Sequence, residues 1–342
     1  MSQQLIICGM HRSGTSLVAS VLRQAGLDIG REEFGPGLGQ PRGHFEDHDF
    51  YHFHEAILAA AGRSCFTAGE ALLGEIGEVD PAFEEQARAL AAARADRPFW
   101  GWKEPRTCLF LDLWDRVLPE ARYLFLYRHP VDVALSLWRR NIDLEVRRDP
   151  WLAFRSWEVY NRRLLAFRDR HPERCFLAHA PALAADFPGF FQRLSAKLDL
   201  PLRNLRDSDF RDLYEPEELA PSCQPPRPAW EELIPEALEI YGRLEESADL
   251  PSFGEPAATG RQRWLLQGSE FLLYSLLEAR QGAVPPPDLE VRREFVRLRL
   301  QEEALRKKLE AAEEETRLLR EITGSRSFAV VRAWWWLRRR LA

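Results

Sequence analysis

The feature that most constrains this chain lies at its start: an apolar run, Leu5 to Cys8, is followed by a six-residue loop, Gly9 to Gly14, and then by TSLVASVLRQAG, residues 15–26. The run reads as a buried parallel strand, because it carries no polar alternation. The segment after the loop has helical periodicity and closes on Gly26, a natural C-terminal stop. Strand, glycine loop and helix in this order make a β-loop-α unit, and a parallel strand needs a crossover to its neighbour. That predicts an α/β sheet rather than a bundle or a sandwich.

The rest of the chain supports this class. FWGWKEPR (99–106) reads as a short strand broken at Pro105, and ARYLFLYRHP (121–130) as the clearest strand. Pro130 sits where a first helical turn begins, and VDVALSLWRRN continues it with helical spacing. Residues 81–97, 151–170 and 187–199 read as helices, CFLAHA as a strand, and 30–43, with five glycines and two prolines, as a loop. Alternation of strands and helices predicts a parallel sheet flanked by helices. A further helix is expected near 229–246, in a Pro-, Glu- and Ala-rich stretch.

The C-terminal part follows a different pattern. Residues 261–283 read as an amphipathic helix, and VPPP (284–287) marks a boundary. From Val291 the positions Phe295, Leu298, Glu302, Leu305, Leu309, Ala312, Thr316 and Leu319 step by three and four, which predicts an interrupted coiled-coil helix over 288–322. Residues 323–342 hold five arginines, three consecutive tryptophans (Trp334, Trp335, Trp336) and no acid. Trp and Arg at one terminus suit a membrane interface, while the bland reading packs the tryptophans on protein. The division expected is 1–260, 261–283, 288–322 and 323–342.

Composition excludes several classes. The net charge of -6 gives no reason to expect nucleic-acid binding. Five scattered cysteines, an odd number with no C-x-x-C pair, read as reduced thiols of a cytoplasmic protein. The first residues lack a basic segment and cleavage site, so no signal peptide is expected. No apolar run approaches the roughly 20 residues of a membrane span.

The loop Gly9–Ser16 almost matches the Walker pattern G-x-x-x-x-G-K-[ST]. Gly9, Gly14 and Ser16 are in register, but Thr15 holds the lysine position and the nearest cation is Arg12. The Walker lysine serves β- and γ-phosphates and the final hydroxyl serves Mg²⁺. The best neighbouring strand ends in Arg128, not an acid. Tools for a γ-phosphate are therefore missing, while a helix N-terminus for a 5′-phosphate remains.

Taken together, HRSGTSL, RGHFED, GWKEPR and FLYRHPVDVALSL, in this order, resemble the sulfotransferases that use 3′-phosphoadenosine 5′-phosphosulfate (PAPS), notably the bacterial and tyrosylprotein branches. The resemblance runs from about residue 5 to about 245. It implies a 5′-phosphosulfate loop formed by Arg12, Ser13, Gly14, Thr15 and Ser16, and a 3′-phosphate site formed by Arg128 and Ser136. It implies Lys103 as the cation on the bridging oxygen, with Arg106 a weaker candidate for the same pocket. Sulfuryl transfer in that family needs no metal. One departure stands out: FLAHAPALAADF lacks the Tyr-Glu expected after its strand.

Two glutamates compete for the base that takes the acceptor's proton. Glu46 matches a Gly-x-x-Glu element of bacterial members, and Glu33 has the spacing from Arg12 used in the tyrosylprotein branch. Glu46 is preferred. His44, His48 and His52, four apart, could share a helix face. Substrate lining or helix capping suits them better than a metal site, and no metal is expected. The acceptor expected is a hydroxyl on a glycan or lipid-linked saccharide, partly because ITGSRS before the tail resembles a terminal element of envelope-glycan enzymes. A homo-oligomer through the coiled coil and peripheral contact of the tail with the inner membrane face complete the expectation. Two rivals stay open: a P-loop kinase with a degenerate loop, and a coiled-coil scaffold with a vestigial nucleotide domain.

Overall fold

The computed structural model describes residues 2–30, 45–66, 79–140, 145–146, 149–203, 205, 230–231 and 233–252. Four strands, β1 (Gln3–Cys8), β2 (Phe99–Lys103), β3 (Arg122–Tyr127) and β4 (Cys175–His179), form one parallel sheet in the order β2-β1-β3-β4. The connections hold α1 (Thr15–Gln24), α2 (His48–Ala60), α3 (Pro81–Ala92), a 3₁₀ turn (Pro105–Leu109), α4 (Leu111–Val117), α5 (Pro130–Arg140) and α6 (Trp151–Arg170). After β4 come α7 (Ala180–Ala185), α8 (Phe187–Leu198) and α9 (Pro235–Ser247). The α/β class read from the sequence holds. The expected amphipathic helix, coiled coil and tail, and Glu33 with its loop, lie outside the described residues.

Successive side chains of a strand face opposite sides of the sheet, and here both sides are buried. Leu5 and Ile7 of β1, Leu124 and Leu126 of β3, and Phe176 of β4 enter a core with Val18, Val21 and Leu22 of α1 and Phe190 and Leu194 of α8. Ile6, Trp100, Trp102, Tyr123 and Phe125 enter the opposite core with residues of α2 to α6 and α9. Burial on both faces is why these strands read as apolar runs without alternation.

The sheet's outer strands are covered. Asp28 lies along β2, accepting from Gly101 N at 2.9 Å and donating to Phe99 O at 3.2 Å. Along β4, Leu250 O accepts from His179 N at 2.8 Å, and Asp249 N donates to Leu177 O at 2.9 Å. Both contacts satisfy backbone groups that an exposed edge would leave unpaired. At Gly101 the sheet tolerates no side chain: a Cβ there would lie 1.8 Å from Leu5 O.

The chain leaves β1 towards β2 on one side and later places β3 on the other. This creates a switch point at the carboxyl ends of β1 and β3, where open α/β sheets bind ligands. The Gly9–Gly14 loop and Arg128 both sit there.

Candidate active site

The loop begins where β1 passes closest to β3. A Cβ on Gly9 would stand 2.5 Å from Leu126 O and 2.9 Å from Thr15 Cγ2, so only glycine fits. The turn uses left-handed backbone at Arg12 (φ 69) and Gly14 (φ 82), closed by Ser13 N donating to Met10 O at 3.1 Å. For Arg12 that conformation costs energy, and strain of this kind persists where the surroundings enforce it. Gly14 is the N-cap of α1, which has no side-chain cap and no acid in its first turn. The first turn's amides and the positive end of the helix dipole therefore face the loop's concavity. The Ser13 hydroxyl is fully buried and, among the described residues, makes no hydrogen bond. A buried, unsatisfied donor inside a phosphate-type loop fits an anionic ligand.

Arg128 follows the last residue of β3 and is buried. Its carbonyl accepts from Trp157 Nε1 at 3.0 Å, which pins the strand end to α6. Its guanidinium lies between the loop and α5: Nη1 donates to Arg12 O at 3.5 Å, and Nε stands 3.8 Å from Asp132. Two turns along α5, half-buried Ser136 accepts from Arg12 Nε at 2.9 Å. Arg12 thus joins Arg128 and Ser136, each more than 100 residues away in sequence, in one cluster at the β1–β3 switch point.

On the other side of β1, Lys103 ends β2 opposite Ile7. Its side chain is 1% exposed, and Nζ donates to Glu46 Oε1 at 2.8 Å. Glu46 precedes α2, so the position of that helix sets the ion pair. Asp47 caps α2 through Asp49 N at 2.9 Å and accepts from Arg94 at 2.9 Å. The apolar face of α2 then packs Phe50 flat on Trp102, with ring centroids 3.9 Å apart.

Behind the ion pair lies a network of which sequence reasoning named only Arg106. Glu104 is fully buried; it accepts from His54 Nδ1 at 2.7 Å, Arg106 Nη1 at 2.6 Å and Thr107 N at 3.1 Å. Trp114 Nε1 donates to His54 Nε2 at 2.9 Å, which leaves Nδ1 as the ring's donor to Glu104. Burial alone would raise the Glu104 pKa, but Arg106 and His54 outweigh it and hold the carboxyl at about 2. Arg106 also pairs with Glu55 and lies over the Tyr51 ring at 4.7 Å. The only sequence signal was adjacency: Glu104 and Arg106 flank the break beside Lys103, whereas His54 is out of step with His44, His48 and His52. Of those three, His48 and His52 place their Nε2 atoms 2.5 Å apart on the outer side of α2, and His44 lies outside the described residues. Among the described residues, no group of three metal-ligating side chains converges.

The strand end lacking Tyr-Glu is furnished from elsewhere. Tyr127 Oη donates to Glu245 Oε1 of α9 at 2.9 Å, and the Tyr127 ring lies 5.3 Å from that of His179. Burial, aided by the charge of Arg128, lowers the His179 pKa to about 4 against the opposing pull of Glu245.

A parallel sheet with a phosphate-type loop at its switch point, a second cationic cluster beside it and a buried lysine suit a transferase with an anionic donor. The family model described as "Sulfotransferase family" matches residues 4–204, and the chain belongs to that family. It is a sulfotransferase, and the family implies PAPS as donor and a hydroxyl-bearing acceptor. Among solved structures, the chain is similar to the sulfotransferase domain from the curacin biosynthetic pathway, at 17% identity and TM-score 0.44, covering 73% of this chain and 99% of that one. It is also similar to the sulfotransferase STF9 from Mycobacterium avium, at 17% identity and TM-score 0.45, covering 74% and 79%. The sulfotransferase domain of the Synechococcus PCC 7002 olefin synthase matches at 19% identity and TM-score 0.39, covering 83% and 96%. Among curated proteins nothing matches. No described helix is long and apolar enough to cross a membrane.

Proposed function

We propose that this enzyme transfers the sulfuryl group of PAPS in line to a hydroxyl of a glycan or lipid-linked saccharide, with Glu46 as base and Lys103 at the leaving oxygen. The observation that carries this reading is the buried Lys103–Glu46 ion pair beside the phosphate loop. As the acceptor oxygen bonds to sulfur, the S–O bond to the 5′-phosphate breaks, the hydroxyl proton passes to Glu46, and adenosine 3′,5′-bisphosphate leaves. Negative charge thus moves from the Glu46 carboxylate to the bridging oxygen. Lys103, held next to that carboxylate, turns to the charge that develops, where a positioned cation in a dry site is most effective. The loop amides and Ser13 hold the 5′ end, and Arg128 with Ser136 reads the 3′-phosphate. Burial of Lys103 and Glu46 keeps the pair free of competing water.

Support for a saccharide acceptor comes from the sequence of the terminal segment, whose arginines and tryptophans suit a membrane surface bearing lipid-linked substrates. The test is incubation of the full chain with sulfur-labelled PAPS and a panel of saccharide, peptide and phenol acceptors, with and without EDTA. Labelled saccharide at equal rates in both arms is expected. Label on peptide or phenol alone would refute the acceptor, and loss in EDTA that Mg²⁺ restores would refute the metal-free transfer.

A further inference from the structure

We infer that His54, buried behind the ion pair, is a positioning residue for sulfuryl transfer: by tying α2 to Glu104 it holds the base Glu46 against Lys103. The inference rests on the reading of Glu46 as base and deepens it. Glu46 precedes the N-cap of α2, so it is placed only as accurately as that helix. The contacts that hold α2 differ in kind. Phe50 lies flat on Trp102, but an apolar stack is not directional and lets one surface slide over the other. Arg94 grips Asp47 at 2.9 Å and Asp49 at 2.7 Å, yet it follows α3 and so ties α2 to another helix. His54 ties α2 to the strand that carries the lysine. Its Nδ1 donates to Glu104 Oε2 at 2.7 Å, and both side chains are fully buried.

Glu104 is the residue after Lys103, in extended backbone (φ -154, ψ 120). Adjacent side chains of an extended segment point to opposite faces. Lys103 therefore meets α2 at Glu46, and Glu104 meets it at His54. From the N-cap Asp47 to His54 the helix advances about 10 Å. Two attachments that far apart fix the translation and the tilt of α2 together. A slip of one residue, about 1.5 Å along the axis, would break the 2.8 Å contact between Lys103 Nζ and Glu46 Oε1. The His54 ring is itself held: Trp114 Nε1 donates to its Nε2 at 2.9 Å, and Phe110 stacks on it at 5.1 Å. These contacts fix one ring orientation and one tautomer, with Nδ1–H towards Glu104. Arg106 adds a second tie, between Glu104 and Glu55, but Glu55 is 41% exposed and its pairing is screened by water. The buried histidine is the stiffer link.

The experiment compares His54→Asn and His54→Gln in the full chain, each alone and combined with Glu46→Gln. The asparagine amide takes the place of Nδ1 and keeps a donor for Glu104. The glutamine amide takes the place of Nε2, keeps a partner for Trp114 and gives up Glu104. Turnover of sulfur-labelled PAPS is read both as labelled saccharide and as sulfate released to water, so a rate is obtained whichever hydroxyl is the natural acceptor. His54→Gln is expected to lower kcat by about 10²-fold, the scale of a reacting group misplaced by about 1 Å. His54→Asn should recover most of the rate, and calorimetry should show unchanged binding of adenosine 3′,5′-bisphosphate in both. In the Glu46→Gln background the two His54 variants should turn over equally, because no base is left to place. Equal rates for His54→Asn and His54→Gln as single variants would overturn the inference. So would a further loss from His54→Gln in the Glu46→Gln background, since the histidine would then serve the fold alone. A Glu46→Gln enzyme as active as wild type would instead overturn the reading of Glu46 as base.

Discussion

Lys103 and Glu46 show how one contact divides two tasks. Each is buried, and each would be costly to bury without the other. Glu46→Gln keeps the shape and a hydrogen bond but removes the base; we expect kcat to fall by about 10²–10⁴-fold with little change in binding of adenosine 3′,5′-bisphosphate. Lys103→Ala should also lower kcat, through the leaving oxygen. Steady-state kinetics with PAPS, alongside nucleotide titration, separates the two quantities. A near-normal Glu46→Gln enzyme with an inactive Glu33→Gln enzyme would transfer the role of base to Glu33. Glu104 makes a different prediction. Its carboxyl is held at about 2, below its ordinary 4.5, so its pairs stabilise the fold above pH 4.5, and that contribution is lost as pH falls towards 2. Thermal unfolding should therefore become steeply easier with acid over this window, and less steeply in Glu104→Gln. Identical slopes for both proteins would remove Glu104 from the acid response.

At the scale of elements, the site depends on how closely β1 approaches its two neighbours. Gly9 lets the loop leave under β3, and Gly101 lets β2 lie against β1. In both cases an added methyl would meet a backbone carbonyl, which cannot rotate away. Gly101→Ala has the closer contact, 1.8 Å to Leu5 O, and β2 carries Lys103. We expect it to destabilise the protein by at least about 1–3 kcal/mol, the range for forced overpacking, as read by urea unfolding. Gly9→Ala, at 2.5 Å from Leu126 O, should cost nucleotide affinity more than stability, because the loop rather than the sheet must shift. A Gly101→Ala protein as stable as wild type would mean that the sheet relaxes around the methyl.

At the scale of the molecule, the enzyme reading has to be joined to the basic C-terminus. Residues 323–342 carry five arginines and no acid, in a chain of net charge -6. Each basic side chain near an anionic leaflet contributes roughly 1 kcal/mol, and association through the expected coiled coil would multiply attachment. The full chain should therefore co-sediment with anionic liposomes at low salt and be released as salt rises. Replacing Arg338, Arg339 and Arg340 by glutamate should abolish pelleting while leaving sulfuryl transfer to a soluble acceptor unchanged. Equal pelleting of both proteins would assign the tail another role.

Local pattern was enough for the elements: an apolar run before a glycine loop, a proline at the first turn of α5, and periodicity across residues 151–170 each specify structure over a few neighbouring residues. Matched to the family's motifs, it also singled out Arg12, Lys103, Arg128, Ser136 and Glu46, because Arg12 lies inside the glycine loop, Lys103 and Arg128 lie at or beside a strand end, and Arg128 sets the register of Ser136. It could not show that Arg12 turns to Ser136, that Glu46 meets Lys103, or that His54 and Glu104 hold the floor beneath them. Those pairs lie 50 to 124 residues apart. They exist only because parallel strands set β2, β1 and β3 side by side and packed α2 across their ends, an arrangement decided by burying both faces of the sheet at once.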